Sequence, residues 1–317
     1  MILLLLLSFL SIILGIVLGS VNISISNIFS GNEMTNAIIW DIRTPRVLMA
    51  YIAGAGLSIS GVIVQSVLKN PLASSFTIGT ASGAAVGASI AITLSLTTLG
   101  VFIIPFFGFS FAFLAILLSL TIANVLGNMQ NISIVLFGMA ISFFANSILT
   151  ILLVFNSESM QRLIFWQMGS FAGHHYLNIL IVFVPVLICS VFAFSKHKEL
   201  DILTLDDVAA MGIGVDVRRY KYIFLIVSSV LTGLIVSFVG IIGFVDLFSP
   251  HLARKFFGAS HKKTIIASAL IGGSIMVLSD LIARTVFSPV ELPVGAVTAF
   301  IGGPVFIYIF SSLRKAD

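Results

Sequence analysis

The stretch LTLDDVAAMGIGVDVRRYKY, Leu203 to Tyr222, interrupts a chain that otherwise avoids charge, and its reading decides the fold. The window Lys196–Lys221 around it holds Lys196, Lys198, Glu199, Asp201, Asp206, Asp207, Asp216, Arg218, Arg219 and Lys221. These are ten of the 16 basic and 12 acidic residues among 317. The chain is 59% hydrophobic and 9% charged, with a mean hydropathy of +1.18, whereas soluble domains carry about 25% charge. Such a composition cannot cover itself with polar surface in water. Unbroken apolar runs of about 20 residues fit a bilayer as helices, which pair every backbone group internally, and not as alternating barrel strands. The polar stretch is therefore a loop outside the membrane, and the fold class is an all-α integral membrane protein.

Working outward from it, apolar segments are expected at about Ile2–Val21, Pro45–Leu68, Ala81–Leu99, Val101–Leu126, Ile132–Phe155, Leu177–Phe194, Tyr222–Ile242, Phe244–Phe257, Thr264–Val286 and Val294–Phe310. The eighth is short and contains Ser249-Pro250. No soluble domain or internal repeat interrupts these ten, so residues 1–317 form one transmembrane domain. The N-terminal run lacks the basic region and the small-residue cleavage site of a signal peptide and is taken as the first membrane helix. Lone Cys189 excludes a disulfide framework.

With ten crossings both termini share one side. That side collects Lys69, Lys196, Lys198, Arg218, Arg219, Lys221, Arg254, Lys255, Lys262, Lys263, Arg314 and Lys315; the other has Arg43, Arg46, Arg162 and Arg284. The richer side is expected to be cytoplasmic, with both ends of the chain on it. The net charge of +4 is thus a topology signal, and no nucleic-acid partner is expected.

None of the eight lysines follows a glycine, so no Walker A loop is present and ATP would have to bind another chain. The adjacent His174-His175 falls in an external loop, as an interfacial polar pair or a ligand site. No Ser-His-Asp arrangement or carboxylate pair is expected at membrane depth, and acidic residues are too few for an ion-coupled carrier. Asp280 and Arg284 stand four apart, the spacing of a helical ion pair; Glu291 follows. Asp246 is expected to cap the eighth helix on the outer side. Gly54, Gly56, Ser58, Ser60 and Gly61, then Ala81, Ser82, Gly83, Ala84, Ala85, Gly87 and Ala88, read as small residues for close helix packing. Arg43 and Arg46, in D-I-R-T-P-R, suit either interfacial anchoring or a cationic dock for carboxylates.

These residues together resemble the FecCD-type permeases of ABC importers for ferric siderophores, haem and cobalamin. The resemblance runs from R-T-P-R (Arg43–Arg46) to the C-terminus. It rests on G-A-G-L-S-I-S-G-V-I-V-Q (Gly54–Gln65), K-N-P-L-A (Lys69–Ala73), G-I-I-G-F-V (Gly240–Val245), S-P-H-L-A-R (Ser249–Arg254), D-L-I-A-R (Asp280–Arg284), E-L-P-V-G (Glu291–Gly295) and G-G-P (Gly302–Pro304). The chain departs from the pattern twice: Asp246 stands where the family often has Gly, and Ser74-Ser75 where Pro or Asp is common.

The resemblance implies a type II importer permease of about ten transmembrane helices in a bacterial plasma membrane. It implies a homo- or heterodimer with a second permease subunit and a translocation path between the two. Two cytoplasmic ATPase subunits would bind ATP and Mg, with no cofactor on this chain and no enzymatic step of its own. An extracellular or periplasmic binding protein would deliver the ligand, an iron chelate, or haem or cobalamin. Arg43, Arg46 and Arg284 match arginines that receive acidic residues of that binding protein; Gly54, Gly61, Gln65, Asn70 and Pro71 match positions of the path or its packing. The opening stretch resembles the cytoplasmic coupling segment, about 196–221, with Asp206, Asp207, Ala209, Ala210, Gly212 and Gly214 in its core. A short helix begun at the aspartates would present its alanines to an ATPase groove, and the glycines would end it.

Overall fold

The structure is a computed structural model that describes residues 1–21, 33–155 and 160–313; the expected basic residues Arg314 and Lys315 lie outside the described residues. Among the described residues every regular element is helical. The helices are α1 (Ile2–Val17), α2 (Glu33–Val67), α3 (Thr80–Thr93), α4 (Ile103–Leu126), α5 (Asn131–Phe155), the short α6 (Met160–Met168) and α7 (Tyr176–Ser195). They continue with α8 (His197–Leu203), α9 (Asp207–Gly212), α10 (Val217–Val239), α11 (Val245–Phe257), α12 (His261–Thr285) and α13 (Val294–Leu313). Each of the ten apolar segments has its helix, and among the described residues α2, α4, α5, α7, α10 and α12 are both long and apolar enough to cross a membrane.

α2 is the hub. Helices α1, α7, α10, α11 and α12 pack around it, and from Pro45 to Val67 most of its side chains are buried. Its small residues explain how so many neighbours fit. Lipid offers no hydrophobic drive for helices to associate, so contact has to come from close backbone approach. A methyl group on Gly54 would fall 2.3 Å from the Gly272 carbonyl oxygen of α12, and one on Gly61 would fall 1.9 Å from the Asp246 carbonyl oxygen of α11. Both glycines are packing residues, as the small-residue pattern predicts. Gly61→Ala is expected to cost roughly 1–3 kcal/mol or more, because a backbone oxygen cannot turn aside as a side chain can. Gly243→Ala, which would meet nothing within 4 Å, is the control. Equal melting temperatures for the two variants in detergent would refute the packing role.

Helices α3 and α11 are short, with 14 and 13 residues. At 1.5 Å per residue each spans about 20 Å of a roughly 30 Å hydrocarbon layer. The expected helix over Ala81–Leu99 therefore stops at Thr93, and a 3₁₀ turn takes up Leu96–Leu99. Non-helical chain leads into both: residues 68–79 before α3, where Ala73, Ser74, Ser75 and Ile78 are buried, and residues 240–244 before α11. Irregular backbone is tolerated at membrane depth only when protein covers it and satisfies its polar groups. Here Asp246, in the first turn of α11, serves the chain before α3, as described next.

Candidate functional site

Asp246 is fully buried. Its Oδ2 accepts from Ser74 Oγ at 2.5 Å, Ser75 N at 3.0 Å and Ser75 Oγ at 3.0 Å. The expectation that it caps its own helix on the outer side is corrected. The N-cap of α11 is Phe244, in the left-handed region at φ 71°, and the Asp246 carboxylate ties down the chain leading into α3 instead. Asp246 also lies against Gly61 and Gln65, toward the Lys69 end of α2 and away from the arginine end where the expectation put it. The two departures from the family pattern thus touch one another. Asp246→Ala would strip a buried N–H and two hydroxyls of their acceptor, at about 1–3 kcal/mol for each group left unpaired. Asp246→Asn keeps an amide oxygen there. The alanine variant is expected to melt several degrees lower and the asparagine variant close to wild type; coincident melting curves for wild type and Asp246→Ala would overturn this.

Beside this tie, Gln65 Nε2 donates to the carbonyl oxygens of Asp246 (3.2 Å) and Leu247 (3.4 Å), and its Oε1 accepts from Arg254 Nη2. Gln65 therefore locks α2 to α11 from inside the bundle. Asn70 and Pro71 are exposed turn residues, and Asn70 Oδ1 accepts from the Leu72 amide at 2.9 Å.

At the basic end the polar stretch forms two helical turns, α8 and α9. Asp206 caps α9 by accepting from Val208 N at 3.2 Å, as its sequence predicts. Asp207 accepts from Lys69 Nζ at 2.5 Å and Lys221 Nζ at 2.9 Å, so one carboxylate joins α9 to the end of α2 and the start of α10. Burial opposes the charged form of Asp207, but its bonds to Lys221 and Lys69 outweigh this and hold the carboxyl below its usual range. The stabilisation is present above the ordinary carboxylate pKa and lost as pH falls through the lowered value. Arg218 donates to Asn124 Oδ1 on α4 from Nε at 2.9 Å and from Nη2 at 2.5 Å.

One expectation for this segment is corrected: the alanines do not share an outward face. Ala210 is fully buried within the chain; the exposed apolar side chains are Leu205, Val208, Met211 and Ile213, with Ala209 exposed beside them. Of the two glycines expected to end the helix, Gly214 is in the left-handed region, at φ 89°.

A contact absent from the sequence expectations lies nearby. His261 Nδ1 stands 2.6 Å from Asp201 Oδ1, and His261 Nε2 stands 2.5 Å from Ser66 Oγ. A Ser-His-Asp set is therefore assembled at this end of the bundle. Ser66 is buried and also donates to the Val62 carbonyl at 2.7 Å, so its hydroxyl is spent on the helix and closed to a substrate. The set fastens α8 to the beginning of α12 and the end of α2. Only the histidine's place at a helix start hinted at it.

At the opposite end the three arginines are buried. Arg46 Nε donates to Asp280 Oδ1 and Oδ2 at 2.9 and 3.1 Å, and its Nη1 donates to Glu291 Oε1 and Oε2 at 3.0 and 2.9 Å. Arg284 Nε lies 3.5 Å from Asp280 Oδ2, the expected i,i+4 pair, while its Nη2 donates to the Gly15 carbonyl. Arg43 donates to the carbonyls of Ile16, at 3.2 Å, Val17, at 2.6 Å, and Val21. Arg43 and Arg284 thus satisfy carbonyls at the end of α1 that no further helical turn could reach. The arginines are not presented outward as a free dock: each is engaged within the chain. Glu291 alone in this network is substantially exposed, its side chain at 41%. His174, in the loop before α7, is held below its usual imidazole range by burial and, less strongly, by His175 and Arg46. Among the described residues no cluster of three or more His, Cys, Asp or Glu is placed to hold a metal.

The family model described as the FecCD transport family matches residues 3–312. The "Uncharacterized ABC transporter permease protein YvrB" of Bacillus subtilis is 34% identical over 94% of this chain and 89% of that protein. The "Probable iron chelatin transport system permease protein" of Helicobacter pylori is 34% identical over 92% of this chain and 89% of its own length. A solved structure described as an inward-facing conformation of a metal-chelate type ABC transporter superposes with a TM-score of 0.87 at 30% identity, covering 97% of each chain.

Proposed function

The chain belongs to the FecCD transport family, and from that premise we propose that it is the membrane permease of a binding-protein-dependent ABC importer that takes up an iron chelate. The observation that carries the importer role is the α9 segment. It is a short capped helix on the basic end, with Val208, Met211 and Ile213 at 77%, 59% and 61% exposure. Apolar side chains held outside the bilayer on an ordered helix suit a groove on another protein. The partner is the cytoplasmic ATPase, two copies of which would serve a permease dimer.

The connections of α9 supply a route for work. ATP hydrolysis on the partners would shift α9; Asp207 would pass that shift to Lys69 at the end of α2 and to Lys221 on α10. Since α2 contacts α1, α7, α10, α11 and α12, its displacement reaches the bundle as a whole. The permease performs no covalent step. On the opposite face an acidic binding protein would dock over the arginine cluster. Arg46 would receive it by exchanging the exposed Glu291 for the partner's carboxylate, an exchange of like hydrogen bonds.

Proteoliposomes test the proposal. Uptake of a ferric chelate is expected only when the ATPase subunits, the binding protein and ATP are all present. Uptake by the permease alone under an ion gradient would overturn the importer role. Retention of haem, cobalamin or an oxyanion in place of a ferric chelate on the co-purified binding protein would overturn the substrate assignment alone.

A further inference from the structure

Between α7, α12 and α2 runs an apolar groove of about 330 Å³ that opens outward from the bundle. Ile59 forms its floor, Val191 and Phe194 one wall, and Ile266, Ala269 and Leu270 the other. The hydroxyl of Ser190 at its edge is spent on the Val186 carbonyl at 2.5 Å, which leaves the groove without a polar demand of its own. The groove lies just inside the basic end. Lys262 stands one turn before Ile266 on α12, Lys263 adjoins it, and Lys198 follows Phe194 by four residues, just past the end of α7.

The ammonium groups of these three exposed lysines form no hydrogen bond or ion pair with the described residues. Neighbouring Lys196 differs, because it donates to Glu199 at 2.8 Å. Lys262 and Lys263 also occupy the first turn of α12, where the helix dipole disfavours cations; the one carboxylate at this helix start among the described contacts, Asp201, is engaged by the His261 amide at 2.9 Å and ring at 2.6 Å. An apolar slot at membrane depth, topped by unpaired cations at the interface, matches one kind of molecule. We propose that the groove binds an anionic glycerophospholipid, with one acyl chain between α7 and α12 and the phosphate at Lys198, Lys262 and Lys263. Basic pockets between membrane helices on the cytoplasmic side recognise such headgroups. The site does not depend on the transport role; it needs only the basic end to face the lipid headgroups.

The test uses the full-length permease in detergent with added phosphatidylglycerol or phosphatidylcholine of identical acyl chains, read by native mass spectrometry. Phosphatidylglycerol is expected to be retained at least tenfold more strongly. Each lysine lost should weaken that retention about fivefold, and the Lys198→Ala, Lys262→Ala, Lys263→Ala variant should bind the two lipids alike. A phosphatidylglycerol with a photoreactive acyl chain should label the segments around Val191 and Ile266, and Ala269→Phe should abolish that labelling. Equal retention of both lipids by the wild type, or undiminished selectivity in the triple variant, would overturn the site. So would labelling that falls elsewhere on the chain or on a second permease chain.

Discussion

Arg46→Met is expected to destabilise the permease by about 3–5 kcal/mol, because it leaves the carboxylate of Asp280 buried without its main partner. Asp280 has no exposure, and both of its oxygens accept from Arg46 Nε. Arg284 offers only a 3.5 Å approach from Nε, and its Nη2 is committed to Gly15, so it cannot take over. Glu291 contributes less to the loss, since it can turn toward water. Arg46→Lys should not rescue, because a single ammonium cannot serve two carboxylates with the planar fork that guanidinium provides. The double variant Arg46→Met, Asp280→Leu should recover much of the loss by removing the stranded charge. Thermal melting in nanodiscs, with the amount of folded protein in membranes, measures all three. A wild-type melting curve for Arg46→Met would show that the network carries no stability. Because the same residue is proposed to meet the binding protein, docking should be measured only on variants that keep the fold, and Glu291→Gln is the one to choose.

The second large effect is functional. Val208→Asp with Met211→Asp is expected to leave the amount and melting temperature of the permease unchanged, since exposed positions rarely alter stability by more than about 0.5 kcal/mol. ATPase association should fall roughly a hundredfold or more. Burying two apolar side chains of this size contributes about 1.5–3 kcal/mol each, and the new carboxylates would resist burial as well. ATP-driven uptake should be lost with it. Ala210→Glu should behave in the opposite order: Ala210 has no exposure, so a glutamate there should lower the melting temperature before any partner is added. Co-purification of the ATPase at wild-type levels with Val208→Asp, Met211→Asp would mean that α9 is an ordinary solvated loop.

Much of this architecture was legible in the residues. Whether a segment enters a bilayer depends on its own transfer free energy, so local composition was enough to locate the ten apolar segments and the polar island. Likewise, the Asp206 cap and the Asp280–Arg284 spacing involve neighbours along one helix, where the backbone itself sets the geometry. The small residues of α2 announced close packing, though not against which partners.

What the chain order could not show is which distant residues a helix meets. Arg46 and Asp280 are 234 residues apart and Ser74 and Asp246 are 172 apart, so their pairing follows from how α2, α11 and α12 pack. Asp201, His261 and Ser66 come from three helices and converge only once the bundle has formed. In α9 the hydrophobic pattern alone favours no face, because Val208, Ala209, Ala210 and Met211 are all apolar. It is contact with the bundle that turns Ala210 inward and leaves Val208 and Met211 free. The arginines at the end opposite the polar island are the sharpest case. Their sequence context marked them as costly charges outside the general bias, but a charge near a membrane can be satisfied by a partner protein or by its own fold. The tertiary structure brings them against the carbonyls at the end of α1 and the buried Asp280, which accept from them within the chain because polar groups at membrane depth have no water to pair with.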